Sequence, residues 1–238
     1  MEERKKVGND MKGIAYGVGV GPGDPELMTQ KAIRLIREND VIAVPGIAAK
    51  ESVAYRIAAQ AVPELSGKEL VAVCMPMVKD RVLMEKKHRK GAERLKQYLD
   101  RGQNVVYLTL GDPSIYCSFG YLQRILVAEG YCVELVSGVP SFYAAAARLG
   151  QALVEENEPL HIIPAAYMAG NMPDQPGTYV LMKSASHMRE VKELLRQSGL
   201  RAEAVLDCGM ESEQICRGVE EIPDDAGYLS LVVFKKQP

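Results

Sequence analysis

Short β-branched runs alternate with helical runs through the first 110 residues, and this alternation constrains the fold more than any other feature. Residues 14–20 read as a glycine-interrupted strand. Asp24 then reads as a helix N-cap, with Pro25 at the first helical position and Glu26 in the first turn. Leu27, Met28, Ala32, Ile33, Leu35 and Ile36 recur at helical spacing up to Glu38. Strands follow at 40–45, 69–75 and 104–110, separated by helices at 51–61 and about 80–100. This is the pattern of a parallel sheet with helices on its faces.

Past residue 116 the pattern changes. Helices are expected at 117–130, 141–150 and near 186–198, with a strand at 132–136. Short strands at about 160–163, 178–182, 202–208, 213–217 and 228–234 look hairpin-connected. The expected fold is therefore α/β with two α/β domains, 1–116 and 117–238, the first sheet mostly parallel and the second mixed. Its 238 residues are enough for two cores.

A net charge of -2 gives no global attraction to nucleic acid or an anionic membrane. The charged N-terminal "MEERKKVGNDMKG" has no apolar core of a signal peptide, and no run approaches a membrane span. Cys74, Cys117, Cys132, Cys208 and Cys216 are scattered without a Cys-x-x-Cys pair, as expected in a reducing cytoplasm. His88, His161 and His187 complete no ligand set, so no metal site is expected.

Three glycine-bearing loops fall at strand carboxyl ends: "GVGVGPGDP" (17–25), "TLGDPSIYCS" (109–118) and "VSGVPSFYAAAA" (136–147). The first fails the dinucleotide fingerprint in both registers, since Pro22 or Asp24 takes the place of the last glycine. No acidic residue follows the second strand to hold a ribose, and no Gly-Lys-Ser/Thr ending is present. Asp24 at the start of a helix would also repel phosphate. One such loop is an ordinary strand-to-helix turn. Three of them suggest a crevice at the strand ends, holding a nucleoside with an uncharged or cationic tail, gripped mostly by backbone.

"VGVGPGDPELMT", "GDPSIYCSF" and "SGVPSFYAAAARLGQAL" resemble the signature segments of the tetrapyrrole (cobalamin and sirohaem) methylases, over about residues 13–234. Within that superfamily, "GDPSIYCSFGYL", "PSFYAAAARLGQAL" and "CMPM" followed by a basic helix are most similar to the branch that methylates C20 of precorrin-2 or cobalt-factor II. The resemblance implies an S-adenosylmethionine-dependent enzyme of cobalamin biosynthesis, with S-adenosylhomocysteine as product. It implies a cytoplasmic homodimer with the donor in an interdomain cleft and no nucleic-acid or membrane partner. Carried over by position, the donor contacts are Pro22, Gly111, Asp112, Pro113, Ile115, Gly138 and Ser141, with Met182, Gly209 and Met210 as walls around adenine and ribose. Gly21 falls on the macrocycle side.

Asp112 has two readings beside plain turn structure: positioning of donor or substrate, and acceptance of the C20 proton. Tyr116 orients substrate or fills a core. Asp24 is better explained as a cap. The sulfonium methyl is already activated, so in-line transfer to an electron-rich meso carbon needs alignment, a dry site and at most a weak base.

A polycarboxylate substrate calls for cations. Residues 79–96 hold eight Lys or Arg against three acids. Some of Lys79, Arg81, Lys86, Lys87, Arg89 and Lys90 are expected to bind or steer the acetates and propionates; a solvated helix face is the ordinary alternative. Rival readings are a methylase acting at another ring position (uroporphyrinogen III or precorrin-4 type), a nicotinamide oxidoreductase, or a non-enzymatic nucleotide-binding module.

Overall fold

The computed structural model describes residues 12–76, 80–168 and 170–237. The chain divides into two compact units, Met1–Val139 and Pro140–Pro238.

The first unit is built on five strands: β1 (Ala15–Gly19), β2 (Val41–Pro45), β3 (Glu69–Val73), β4 (Val105–Thr109) and β5 (Val133–Val136). They pair in the order β3-β2-β4-β1-β5, and every pairing is parallel. The helices are α1 (Gln30–Glu38), α2 (Val53–Ala61), α3 (Arg81–Leu99) and α4 (Phe119–Ala128). Central strands buried on both faces are read directly in "VIAVP" and "VVYLT". On one face Ala43, Val71, Val105 and Tyr107 pack with Leu95 and Leu99 of α3 and Phe119, Leu122 and Leu126 of α4. Alternate residues such as Ile42, Val106 and Leu108 serve the other face, where α2 touches β2 and β4.

Two expectations change here. The domain boundary expected near 116 falls inside the first unit, because α4 carries the chain back and β5 pairs with β1. The first helix also starts later than expected. Asp24 Oδ1 accepts from the Glu26 amide at 2.9 Å, but it caps only a 3-10 turn, Pro25–Leu27. Met28 then leaves helical geometry with its side chain buried, and Thr29 Oγ1 caps α1 by accepting from the Ala32 amide at 3.2 Å.

The second unit begins with α5 (Ser141–Leu149), which ends at Gly150 in the left-handed conformation, φ 71°. Its sheet contains β6 (Leu160–Pro164), β7 (Gly177–Met182), β8 (Ala202–Leu206), β9 (Gln214–Cys216) and β10 (Ser230–Lys236), in the order β6-β7-β10-β8-β9. Only β6 and β7 pair in parallel; β10 runs against β7 and β8, and β8 and β9 form the expected hairpin. Helix α6 (Met188–Gln197) covers one face with Met188, Val191 and Leu195. Its buried Lys192 is neutralised by Asp224 at 2.6 Å and donates to the Ile222 carbonyl.

Candidate active site

In the first sheet β1 and β4 are neighbours whose onward connections leave in opposite directions, β1 toward β2 and β4 toward β5. Their carboxyl ends therefore flank a topological switch point, the usual ligand position of an open α/β sheet. All three glycine loops expected from the sequence involve this place. The first two meet in a two-bond bridge: the Gly111 amide donates to the Gly21 carbonyl at 2.8 Å and the Gly21 amide to the Gly111 carbonyl at 3.4 Å. The third closes on them so tightly that side chains are excluded. A Cβ on Gly138 would run into the Gly111 carbonyl oxygen, and one on Gly19 would meet the Gly138 amide nitrogen at 2.8 Å.

Asp112 joins the loops. Its side chain is 7% exposed. Oδ1 accepts from the Ser114 amide at 2.8 Å and the Ser114 hydroxyl at 2.5 Å, while Oδ2 accepts from the Gly138 amide at 3.0 Å. Three donors thus engage one carboxylate, two from its own loop and one from the loop after β5. Thr29 Oγ1 adds a 3.4 Å contact to the Ser137 carbonyl.

The consequence for ligand chemistry is direct. The amides of Gly21, Gly111, Ser114 and Gly138 are already bonded within the protein. A phosphate needs free amides, and at these four positions it finds none. The Gly21 and Gly111 carbonyls are occupied by the same pair of bonds, so the knot presents a donor-poor edge beside one buried carboxylate, whose charge disfavours an anion. Beside any grip on a ligand, these glycines bring backbone against backbone.

Pro22, Gly111, Asp112 and Pro113 lie buried in this knot, and Ile115 and Gly138 are half-buried beside it. Tyr116 is 44% exposed and sits at φ 47°, a left-handed conformation uncommon for a bulky side chain and a form of strain that clusters at functional sites. The next residue, Cys117, is anchored: its sulfur accepts from the Phe119 amide at 3.3 Å and lies 2.9 Å from Thr109 Oγ1.

The second unit has an edge of its own. β6, β7 and β8 run in one direction, so Pro164, Met182 and Leu206 end on the same side, with the start of β10 between them. Lys183 (φ 57°), Asp207 (φ 49°) and Gly209 (φ 77°) all take the left-handed conformation just beyond those strand ends. The Asp207 amide donates to the Leu229 carbonyl at 3.1 Å. The Gly209 amide donates to Glu213 Oε2 at 2.6 Å, and Arg148 holds the same oxygen at 3.0 Å. Met182, Gly209 and Met210 fall along this edge, half-buried; Ser141 is half-buried in the first turn of α5.

Of the cations expected to meet substrate, Lys79 lies outside the described residues. Arg81, Lys86, Lys87, Arg89 and Lys90 all belong to α3, and Arg89 pairs with Glu85 at 3.2 Å. His88 of the same helix is buried and stacks on Tyr121 with ring centroids 4.3 Å apart. Burial, and then the charge of Arg124, hold its pKa below the ordinary histidine value. No group of three metal-ligating side chains occurs among the described residues, and none of their helices is long and apolar enough to cross a membrane.

Several residues escaped the sequence reading. Ser114 was detectable, because Asp-x-Ser is an ordinary side-chain-to-backbone turn. Glu213 and Arg148 were not, since 65 positions separate them. Lys183 and Asp207 carry no glycine to announce their backbone geometry.

Comparison with known proteins agrees with this geometry. Residues 15–223 match the family model of the Tetrapyrrole (Corrin/Porphyrin) Methylases. The chain is 32% identical over 239 residues to the cobalt-precorrin-2 C(20)-methyltransferase of Salmonella typhimurium, covering 95% of this chain and 98% of that one. It is 28% identical over 233 residues to a precorrin-2 C(20)-methyltransferase from Sinorhizobium, covering 93% and 94%. Among solved structures, the uroporphyrin-III C-methyltransferase of Thermus thermophilus complexed with S-adenyl homocysteine is similar at a TM-score of 0.68 and 25% identity, over 94% of this chain and 98% of that one.

Proposed function

From the premise that the chain belongs to the tetrapyrrole (corrin/porphyrin) methylases, we propose that it transfers a methyl group from S-adenosylmethionine to C20 of a reduced tetrapyrrole in cobalamin biosynthesis. The observation that carries this reading is the Asp112 knot at the switch point, whose amides are spent and whose buried carboxylate disfavours an anion, which suits a cationic or neutral ligand. A sulfonium nucleoside has that chemistry; a dinucleotide does not.

When bound, the donor supplies an activated methyl and leaves as S-adenosylhomocysteine. The protein's task is alignment. Gly21, Pro22, Gly111, Pro113 and Ile115 form the wall, and Asp112 and Gly138 hold it rigid. Pre-organisation of this kind lowers the barrier by keeping the reacting atoms in line at about 3 Å. Tyr116, strained and exposed on the same loop, is assigned to orienting the macrocycle. For Ser141, Met182, Gly209 and Met210 the donor role rests on the resemblance alone. The proposal extends to a homodimer in the cytoplasm on the same ground.

The cobalt-bearing acceptor is favoured, because the Salmonella relative whose name specifies it is more similar than the one that specifies the metal-free form. Calorimetry should show S-adenosylhomocysteine binding and no NAD binding; the reverse would sink the methyltransferase reading. Anaerobic incubation with precorrin-2 and with cobalt-factor II, followed by mass spectrometry, should show one added methyl, with faster transfer to cobalt-factor II. A methyl gained instead by uroporphyrinogen III would assign a different ring position.

A further inference from the structure

Helix α3 runs past the sheet that it covers. A Cβ on Gly91 would stand 2.9 Å from Val73 Cγ1, and Val73 is the last residue of β3. At about 1.5 Å per residue, residues 81–90 project up to about 15 Å beyond the carboxyl edge of the sheet. The buried stripe of the helix, His88, Gly91, Ala92, Leu95 and Leu99, determines which side of this overhang faces inward. With about 100° between successive residues, the stripe continues through Met84 and Arg81, and Lys87 borders it beside Gly91. Lys86 and Lys90 fall on the opposite side, and Arg89 flanks the other margin of the stripe, where Glu85 pairs with it. Met84 and Lys87 are half-buried, whereas Lys86, Arg89 and Lys90 are exposed; Arg81, a full turn nearer the free end of the overhang, is exposed as well.

The inner side also has the right neighbours. Tyr121, in the first turn of α4, stacks on His88, so the loop that leads into α4 and carries Tyr116 runs alongside the overhang. Met75, just beyond β3, places its sulfur 3.7 Å from where a Gly91 Cβ would be. The acids nearby are occupied. Asp80 caps the helix through the Val82 and Leu83 amides, and Glu85 pairs with Arg89. Among the described residues Arg81 and Lys87 have no ion-pair or hydrogen-bond partner.

We infer that the inner face of this overhang is the acceptor platform: the thioethers of Met75 and Met84 lie under the apolar ring face, and Arg81 and Lys87 bind its peripheral carboxylates. A flat, apolar ring fringed by carboxylates is complementary to thioethers flanked by unpaired cations. The outward cations are a solvated face. The inference rests on the tetrapyrrole reading above and narrows it from a basic helix to two of its charges.

The test uses uroporphyrin III, a stable octacarboxylate macrocycle, titrated into the full-length protein and followed by porphyrin fluorescence. Arg81→Gln/Lys87→Gln should raise its Kd by about tenfold or more, and Lys86→Gln/Arg89→Gln, which removes the same net charge, by less than about threefold. Circular dichroism of both variants should match the wild type. In turnover, the inner pair should raise KM for the tetrapyrrole while leaving kcat and the KM for S-adenosylmethionine within about twofold. Equal losses for the two pairs, or a wild-type protein that does not bind the porphyrin at micromolar concentration, would overturn the assignment. If the inner pair alone weakens binding while neither precorrin-2 nor cobalt-factor II gains a methyl, the platform stands and the C20 reading falls.

Discussion

Replacing Asp112 by asparagine separates a structural carboxylate from a catalytic base, because the two roles lose different things. The shape is kept, but an amide offers one acceptor oxygen where the carboxylate offers two. If that oxygen keeps both Ser114 donors, the new NH2 group faces the Gly138 amide, now 3.0 Å from an oxygen. One charge-assisted hydrogen bond is lost, worth about 1.5–3 kcal/mol, and two donors are left opposed in a buried place. We expect about 2–3 kcal/mol of destabilisation. In a chain of this size that lowers Tm by roughly 4–12 °C. The loop after β5 is then no longer tied to the loop after β4, so the donor wall loosens. The Kd for S-adenosylhomocysteine, measured by calorimetry, should rise by at least about tenfold. Ser114→Ala serves as the milder arm. It removes one donor from an exposed serine, leaves the link to Gly138 intact, and should cost less than about 1 kcal/mol. A general base behaves otherwise: its loss lowers kcat by roughly 10²–10⁴-fold with donor affinity and stability intact. Asp112→Asn protein with wild-type Tm, unchanged S-adenosylhomocysteine affinity and a hundredfold lower kcat would refute the staple and make Asp112 the base.

Two further outcomes are expected from the core around the site. Tyr107 in β4 is fully buried, and its hydroxyl has no hydrogen-bond partner among the described residues; the Ser118 side chain acts on the phenol without reaching bonding geometry. Tyr107→Phe should therefore be neutral or stabilising by up to about 1–2 kcal/mol in urea unfolding, and a loss of more than about 1 kcal/mol would reveal a hidden partner. His88 is held neutral by burial and by Arg124, so its pKa in the folded protein is below that of the unfolded chain. Between the two values the unfolded chain binds the extra proton. Its contribution to stability is thus present above about pH 6.5 and is lost as the pH falls through the folded-state pKa. His88→Phe keeps an aromatic face for Tyr121 and should flatten the fall in Tm between about pH 7 and pH 5; an unchanged slope would clear His88 of any role in it.

Most of the fold could be read along the chain, because the strands and helices announce themselves by local periodicity. The domain boundary could not. Whether 133–136 joins the first sheet or the second is decided by pairing with β1, more than a hundred residues away, and nothing in "VELV" names its partner. The start of α1 was ambiguous for a related reason: Asp24 and Thr29 are equally good caps, and the burial of Met28 selects the second. At the site, the sequence showed where the glycines were but not that they pack against one another. Glycine permits close approach, and the natural inference was approach to a ligand. Gly19 and Gly138 also approach the Gly111 backbone, and this interlock consumes the amides that a phosphate would require. The cations of α3 show the same division between what is local and what is not. Their angular positions follow from helix geometry alone. That Arg81 and Lys87 overhang an open edge, while Leu95 and Leu99 on the same stripe are sealed against the sheet, follows only from Gly91 meeting Val73 where β3 ends. Charge was legible, and so was the face that carries it; the depth at which the helix passes the sheet, on which the proposed binding surface depends, was not.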